Sequence, residues 1–149
     1  MPVTKPDAGS LLVALQFGLL AALLVVALQG DALAPAPVVL AILGVALGLW
    51  AVSANRPGNF NIRPTPRPGG QLVSSGPYRW IRHPMYSALL LAGAGGAWAS
   101  GSTLGWALWL ALAAVLCAKA RLEERWMVQA HPGYDAYRAR TRRFVPWML

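Results

Sequence analysis

An uninterrupted apolar stretch near the N-terminus constrains the fold more than any other feature. Residues 11–28 carry no charge, and Gln16 is the only polar side chain among them. A stretch of this kind is typical of a membrane-spanning helix, because a hydrocarbon core about 30 Å thick needs about 20 residues at a rise of about 1.5 Å each. The hydrophobic region of a signal peptide is usually shorter, so we predict a retained first membrane helix.

The rest of the chain has the composition of a membrane protein. Of its 149 residues 56% are hydrophobic and only 12% are charged. These values are unusual for a soluble domain, and the length suits one compact unit, so we predict a single all-α membrane domain over residues 1–149. The predicted spans are about 11–28, 38–54, 80–99 and 104–125. The last helix is expected to project from the bilayer to about Gln129, with Pro132 and Gly133 ending it.

The connection between the second and third spans has a different composition. Residues 55–71 are rich in proline, glycine and arginine, which predicts an ordered surface loop at headgroup level. Arg56, Arg63 and Arg67 in this loop are expected to contact anionic lipid. Within the second span, Gly44 and Gly48 are four residues apart and predict close approach of a neighbouring helix.

The basic residues indicate the topology. All 13 lysines and arginines lie outside the four apolar runs, that is before residue 11, between residues 54 and 85, or after residue 118. This distribution predicts that both termini are cytoplasmic, and the size and composition suggest a bacterial inner membrane. Juxtamembrane placement also argues against a nucleic-acid interface, which needs a soluble basic face.

A donor-rich segment precedes the third apolar run. Within nine residues it holds two guanidiniums, one imidazole and two phenols, contributed by Tyr78, Arg79, Arg82, His83 and Tyr86. This exceeds the donor capacity that a connecting loop needs, so we expect an anionic group to bind here.

Glu123 and Glu124 form the only pair of adjacent acidic residues, at the point where the fourth helix leaves the membrane. Carboxylates near a bilayer usually have a function or a partner. The simpler interpretation, favoured by spacing alone, is an ion pair within the helix to Lys119, Arg121 or Arg125.

These segments contain two motifs with a recognisable order and spacing. The first is Gly76-Pro77-Tyr78-Arg79 followed by Arg82-His83-Pro84-Met85-Tyr86, and the second is Glu123-Glu124 followed by Tyr134-Asp135-Ala136-Tyr137 and Arg143-Phe144-Val145-Pro146. Together they resemble the isoprenylcysteine carboxyl methyltransferase and phospholipid methyltransferase family over about residues 71–147. The resemblance implies an integral membrane four-helix bundle, whose cytoplasmic loop and C-terminal tail form a pocket for S-adenosylmethionine without a Rossmann fold. It also implies a lipid-borne or hydrophobic methyl acceptor.

The resemblance assigns residues to the cofactor pocket. They are Val73, Gly76, Tyr78, Arg82, His83, Tyr86, Glu123, Glu124 and Tyr134. The first three could pack around adenine. Arg82 or His83 suits the cofactor carboxylate, whereas either glutamate suits its ammonium or ribose hydroxyls.

Two residues are candidates for a catalytic role by the same resemblance. Glu124, or alternatively His83, could accept the proton of an amine acceptor. Arg143 could hold an anionic acceptor group or close the pocket from the tail.

The chain departs from the family pattern at three positions. Ala88 stands where a glycine is expected, and Met127 and His131 replace a leucine and a phenylalanine. We expect no metal site, because His83, His131 and Cys117 alone do not make a convincing ligand set.

The sequence leaves the acceptor open. A phospholipid amine and the carboxylate or thiol of an isoprenylcysteine-like molecule are all compatible with it, and no obligate protein partner is evident. Two other classes remain as alternatives. One is a non-catalytic membrane protein that binds anionic lipid through its arginines, and the other is an NADPH-dependent reductase similar to the membrane sterol reductases.

Overall fold

The computed structural model describes residues 7–55, 59 and 69–146. Within these ranges the chain is all-α, as predicted, with five helices and no strand. The helices are α1 (Ala8–Leu28), α2 (Pro35–Ala54), α3 (Pro84–Ala99), α4 (Thr103–Ala130) and α5 (Tyr134–Arg140), and a 3₁₀ turn spans Gly76–Arg79. The predictions for Arg56, Arg63 and Arg67 fall outside the described residues.

In the described part of the chain, three helices are long and apolar enough to cross a membrane, namely α1, α2 and α4. They correspond to the predicted first, second and fourth spans. α3 has 16 residues, which rise about 24 Å and fall short of a hydrocarbon core about 30 Å thick. That α3 also spans the membrane, as the predicted third span, therefore stays a prediction. The fourth predicted helix, α4, ends at Ala130, close to the expected Gln129.

The predicted start of the third helix, near residue 80, is wrong. α3 begins at Pro84, and His83 before it has φ −125° and ψ 58°, outside the helical region. A residue that precedes proline is driven out of the α conformation by the proline ring, whereas proline itself is well tolerated in the first turn. The preceding 3₁₀ turn starts at Gly76, whose φ is +56°. A Cβ there would lie 2.6 Å from the Cβ of Ala54, so this position requires glycine.

The helices pack as two pairs, α2 with α3 and α1 with α4, and α3 contacts both helices of the second pair. α2 lies along α3, and α1 lies along α4 and also contacts α3, whereas α1 and α2 are not packed against each other. The buried apolar cluster is formed by Leu23, Ala97, Leu112 and Leu116. The arrangement leaves a space between α1 and α2.

Small residues bring α2 and α3 together, as predicted for Gly44. A Cβ on Gly44 would lie 2.8 Å from both the carbonyl oxygen of Ala88 and the amide nitrogen of Ala92. Likewise, a Cβ on Gly95 of α3 would lie 2.8 Å from the carbonyl oxygen of Pro37. These backbones approach too closely for any larger residue.

Gly44→Ala is therefore expected to lower the free energy of unfolding by about 1–3 kcal/mol, because the new methyl group must push two backbones apart. Gly18→Ala is the matched control, since a Cβ on Gly18 of α1 has no atom within 4 Å. The measurement is thermal unfolding of both variants in detergent. Equal stability of Gly44→Ala and Gly18→Ala would contradict the close packing of α2 and α3.

Candidate functional site

The C-terminal tail beyond α5 docks against the segment that precedes α3. Backbone hydrogen bonds of 2.7–3.1 Å join residues 80–83 to residues 142–143. The hydroxyl of Ser87, in the first turn of α3, donates to the carbonyl oxygen of Phe144 at 2.6 Å. The first motif and the C-terminal end of the second motif therefore meet in space, although most of α3, all of α4 and all of α5 lie between them along the chain.

Glu124 lies at the centre of this junction. Its side chain is buried, and its Oε1 accepts a hydrogen bond from Arg82 Nε at 2.8 Å and lies 3.2 Å from His83 Nε2. Arg143 approaches from the tail and donates from Nε to Oε1 at 3.1 Å and from Nη2 to Oε2 at 2.8 Å. One carboxylate thus links α4, the first motif and the tail.

The interpretation of the acidic pair as an ion pair within α4 is wrong. Among the described residues, the ion pairs of Glu123 and Glu124 reach Arg82, His83 and Arg143, none of which lies on α4. Such cross-element pairs depend on the tertiary fold, so helical spacing cannot reveal them.

The two guanidiniums are held in place by more than Glu124. Arg82 Nη1 also donates to the carbonyl oxygens of Thr141 and Arg138. The hydrogen bonds from Arg143 to Glu124 raise the pKa of Arg143 above its ordinary value, so the guanidinium stays charged. Both arginines therefore fasten the tail to the rest of the molecule.

Glu123 faces the other way. Its side chain is 33% exposed, and its Oε2 accepts a hydrogen bond from the Tyr86 hydroxyl at 2.9 Å. His83 lies between the two glutamates, with Nδ1 3.8 Å from Glu123 and Nε2 3.2 Å from Glu124. The imidazole also stacks on the Tyr86 ring at a centroid distance of 5.2 Å, which fixes its plane.

A cavity of about 530 Å³ lies in front of Glu123. Its size falls in the range of small-molecule sites, roughly 300–1,000 Å³. The polar part of its wall consists of Gln16, Asn55, Asn59, Gln71, Tyr78, Arg82, His83, Tyr86, Lys119, Glu123, His131, Tyr134 and Tyr137. The apolar part includes Phe17, Val45, Val52, Leu89 and Ala92. The cavity therefore has a polar and an apolar region, which suits a ligand with both polar and apolar parts.

Most of the predicted cofactor residues line this cavity. They are Val73, Tyr78, Arg82, His83, Tyr86, Glu123 and Tyr134. Gly76 instead packs against Ala54 of α2. Glu124 and Arg143 lie behind the wall, where they hold Arg82 and the tail.

Three phenols, two buried and one half-buried, contribute neutral hydrogen-bonding groups. Burial raises the pKa of Tyr78 to about 12, and it also raises the pKa values of Tyr134 and Tyr137. The Tyr137 hydroxyl donates to the carbonyl oxygen of Tyr78 at 2.7 Å. These side chains stay protonated near neutral pH and can donate hydrogen bonds without adding charge.

Sequence reasoning missed several wall residues. Lys119 and Gln16 are both buried, and Lys119 Nζ donates to Gln16 Oε1 at 2.6 Å. A polar residue alone in a membrane span is a signal for such a contact, but Lys119 was interpreted only as a topology charge and an ion-pair partner.

The loop ends were missed as well. Asn59 and Gln71 exchange two hydrogen bonds of 2.9 Å, and Asn59 also donates to Asn55 Oδ1 at 2.9 Å. This exchange joins residues twelve apart at the cavity wall and brings the two ends of the loop together.

The three departures from the family pattern also lie at the cavity. Ala88, Met127 and His131 are wall residues, and the Ala88 Cβ would lie 3.6 Å from a Cβ added to Gly48. In the described part of the chain, no group of three or more His, Cys, Asp or Glu side chains is placed to hold a metal ion.

Fold and site together define a helical membrane protein with an amphipathic pocket, braced by its own C-terminal tail. The sequence matches the profile of the phospholipid methyltransferase family over residues 34–132, and the chain belongs to that family. This range includes the whole of the first motif and the Glu123-Glu124 pair of the second motif.

A curated relative is the cobalt-zinc-cadmium resistance protein CzcN of Cupriavidus metallidurans, which is 38% identical over 81 residues. The aligned region covers 54% of this chain and 38% of that protein, so the chain spans well under half the length of this relative.

Proposed function

We propose that the protein transfers a methyl group from S-adenosylmethionine to a lipid-borne or hydrophobic acceptor at the cytoplasmic face of a membrane. Membership of a methyltransferase family supports the reaction type. The observation that supports the cofactor and the acceptor is the cavity. Its wall combines the partly exposed Glu123 carboxylate and several phenols with an apolar region between α1 and α2.

The polar wall suits the functional groups of this cofactor. The Glu123 carboxylate is partly exposed and offers acceptor oxygens for an ammonium group or ribose hydroxyls. Arg82 reaches the wall from its anchored position and suits a carboxylate. Tyr78 and Val73 provide a surface for the adenine ring.

The bound cofactor would supply an electrophilic methyl group, so the protein needs no nucleophile of its own. Its residues contribute alignment, which can supply much of the acceleration of such a transfer. Glu124 and Arg143 act here as positioning residues, because they fix the first motif, α4 and the tail relative to one another. For an amine acceptor we propose His83 as the proton acceptor, since it lines the cavity while the Glu124 oxygens are already shared by two guanidiniums.

The acceptor is proposed to enter sideways from the bilayer. Phe17 of α1 and Val45 and Gly48 of α2 line the apolar part of the cavity, and these two helices are not packed against each other. The proposed acceptors are a phospholipid amine or the carboxylate or thiol of an isoprenylcysteine-like molecule. The proposed orientation has both termini in the cytoplasm, in agreement with the basic residues.

Calorimetric binding of S-adenosylmethionine, S-adenosylhomocysteine and NADPH to detergent-purified protein tests this function. We expect the two adenosyl ligands to bind and Glu123→Gln to weaken S-adenosylmethionine roughly 10-fold, because a charge-assisted hydrogen bond is lost. Asp135→Asn is the control, since Asp135 is an exposed acid on α5 outside the cavity wall.

Three results would count against the proposal in different ways. Folded protein that binds none of the three ligands would favour the lipid-binding alternative. Binding of NADPH alone would favour a reductase. Equal affinity of wild type and Glu123→Gln for S-adenosylmethionine would remove the role of Glu123 and leave the reaction type intact.

A further inference from the structure

A second, smaller cavity lies where the C-terminal tail meets the segment before α3. Its volume is about 160 Å³, and its wall consists of Trp80, Ala139, Arg140, Arg142 and Pro146. None of these residues belongs to the wall of the larger cavity. Sites for whole small molecules usually measure roughly 300–1,000 Å³, so the smaller cavity suits a single chemical group of a ligand.

Arginine side chains dominate the polar surface of this cavity. Arg140 and Arg142 lie in its wall, and the Cζ of Arg79 lies 4.7 Å from the centroid of the Trp80 ring. All three arginines are exposed, and in the described part of the chain no ion pair joins any of them to a carboxylate. Because guanidinium groups match phosphate oxygens in geometry and charge, this cavity favours a phosphate group.

The two wall arginines are held in place by the fold. The backbone nitrogen of Arg142 donates to the carbonyl oxygen of Trp80 at 2.9 Å, and the carbonyl oxygen of Arg142 accepts from the backbone nitrogen of Arg82 at 2.7 Å. The Cζ of Arg140 lies 5.8 Å from the centroid of the Tyr137 ring. An anion that binds both guanidiniums next to Trp80 would therefore join the end of α5 and the tail to the segment before α3.

Two tryptophans indicate that this cavity lies at the level of lipid headgroups. Trp80 and Trp50 are 40% and 47% exposed, and their ring centroids are 5.9 Å apart. Trp50 lies near the end of α2, one of the helices that are long and apolar enough to cross a membrane. Exposed tryptophans at the ends of membrane spans are typical of the bilayer interface. A phosphate at this depth belongs to a lipid headgroup more readily than to a solute.

We propose that this cavity binds the phosphate of an anionic phospholipid that is not a methyl acceptor, and that the bound headgroup stabilises the docked tail. Arg140 and Arg142 donate to the phosphate oxygens beside Trp80. The site does not depend on the proposed function. It has a consequence for the larger cavity, because α5 contributes Tyr134 and Tyr137 to that wall.

Hydrogen exchange at the tail junction tests this inference. The backbone amides of Arg82, His83 and Arg142 all donate across the junction, so their exchange reports undocking of the tail. The measurement compares mixed micelles of dioleoylphosphatidylcholine with and without dioleoylphosphatidylglycerol. A ligand that binds only the docked state slows exchange by about 10-fold when its effective concentration is about ten times its Kd. The ratio of the two exchange rates is the readout, so a general loss of stability in a variant cancels.

Arg140→Met and Arg142→Met should each lower this protection from about 10-fold to about 2-fold. The loss of a charge-assisted hydrogen bond weakens binding roughly 10-fold, and the backbone contacts of residue 142 remain available to methionine. Arg142→Lys should retain more protection than Arg142→Met, because it keeps the charge and loses only the paired donors. Arg121→Met is the matched control, since Arg121 is an exposed cation on α4 outside the walls of both cavities.

Three outcomes would overturn the inference. Full protection in Arg140→Met and Arg142→Met would exclude this cavity as the site. An equal loss of protection in Arg121→Met would replace the site by diffuse attraction of the whole basic surface. Equal protection by soluble glycerophosphoglycerol in phosphatidylcholine micelles would assign the cavity to a soluble phosphodiester instead of a lipid. Binding of S-adenosylhomocysteine is measured separately, and its absence in wild type would overturn the proposed function alone.

Discussion

Glu124→Gln is expected to lower the free energy of unfolding by about 3–5 kcal/mol, because it removes one partner from a buried network of charges. Arg82 and Arg143 would both lose their carboxylate, and Arg82 is held at 9% side-chain exposure. The amide also presents two N–H donors, one of which must face a guanidinium. The measurement is unfolding in detergent, combined with tryptic digestion after Arg142, which docking of the tail should slow in wild type.

Glu123→Gln is the matched control for this prediction. It changes the neighbouring carboxylate on the same helix, whose hydrogen bond comes from the Tyr86 hydroxyl, and we expect a cost of about 1 kcal/mol. Comparable stability of the two variants, with equal protection of the tail, would contradict the central position of Glu124.

The same contrast decides which variant can test the cofactor pocket. A binding defect in Glu124→Gln would follow from a released tail as readily as from a lost ligand contact, because Tyr134 and Tyr137 of α5 line the cavity. Glu123 lines the cavity and has fewer structural contacts. Its substitution therefore reports on ligand contact more directly.

The sequence predicted the apolar spans and about half of the polar residues in the cavity wall. Residues 11–28 and 38–54 fall within α1 and α2, because hydrophobicity and length alone decide membrane insertion. The donor-rich segment before α3 lies at the cavity. Its place could be predicted because its residues are close in sequence and the family resemblance connects it with the second motif.

Contacts between distant parts of the chain could not be predicted from spacing. Glu124 is 42 residues from Arg82 and 19 from Arg143, and Gln16 is 103 residues from Lys119. A local pattern carries no information on which of several cations reaches a given carboxylate. The simplest pairing within α4 was therefore favoured, and it was wrong.

The start of α3 shows a different limit. Hydrophobicity alone did not show whether the helix begins at residue 80 or at Pro84. The boundary lies at Pro84 because proline disfavours the α conformation of the residue before it. The consequence is functional, since Arg82 and His83 lie on a non-helical segment next to the tail instead of on a helical face.

On the proposed function, with phosphatidylethanolamine as the proposed acceptor, Gly48→Leu is expected to reduce methyl transfer about 100-fold or more, because the acceptor can no longer reach its aligned position. Gly48 lines the apolar part of the cavity on α2, and a Cβ there would meet only the Cβ of Ala88, at 3.6 Å. The backbone can therefore carry a side chain, but the outer atoms of leucine would occupy the space near Phe17 of α1. Adenosyl ligands, held at the polar wall, should still bind.

Ala46→Leu provides the control for added bulk, because Ala46 is an exposed residue on α2 outside the cavity wall. It should leave methylation unchanged, and Gly48→Ala should fall between wild type and Gly48→Leu. The measurement is transfer of a labelled methyl group from S-adenosylmethionine to phosphatidylethanolamine in vesicles, alongside calorimetric binding of S-adenosylhomocysteine. Wild-type transfer by Gly48→Leu would exclude the space between α1 and α2 as the acceptor route. Loss of adenosyl binding together with transfer would show that cofactor and acceptor share this part of the cavity.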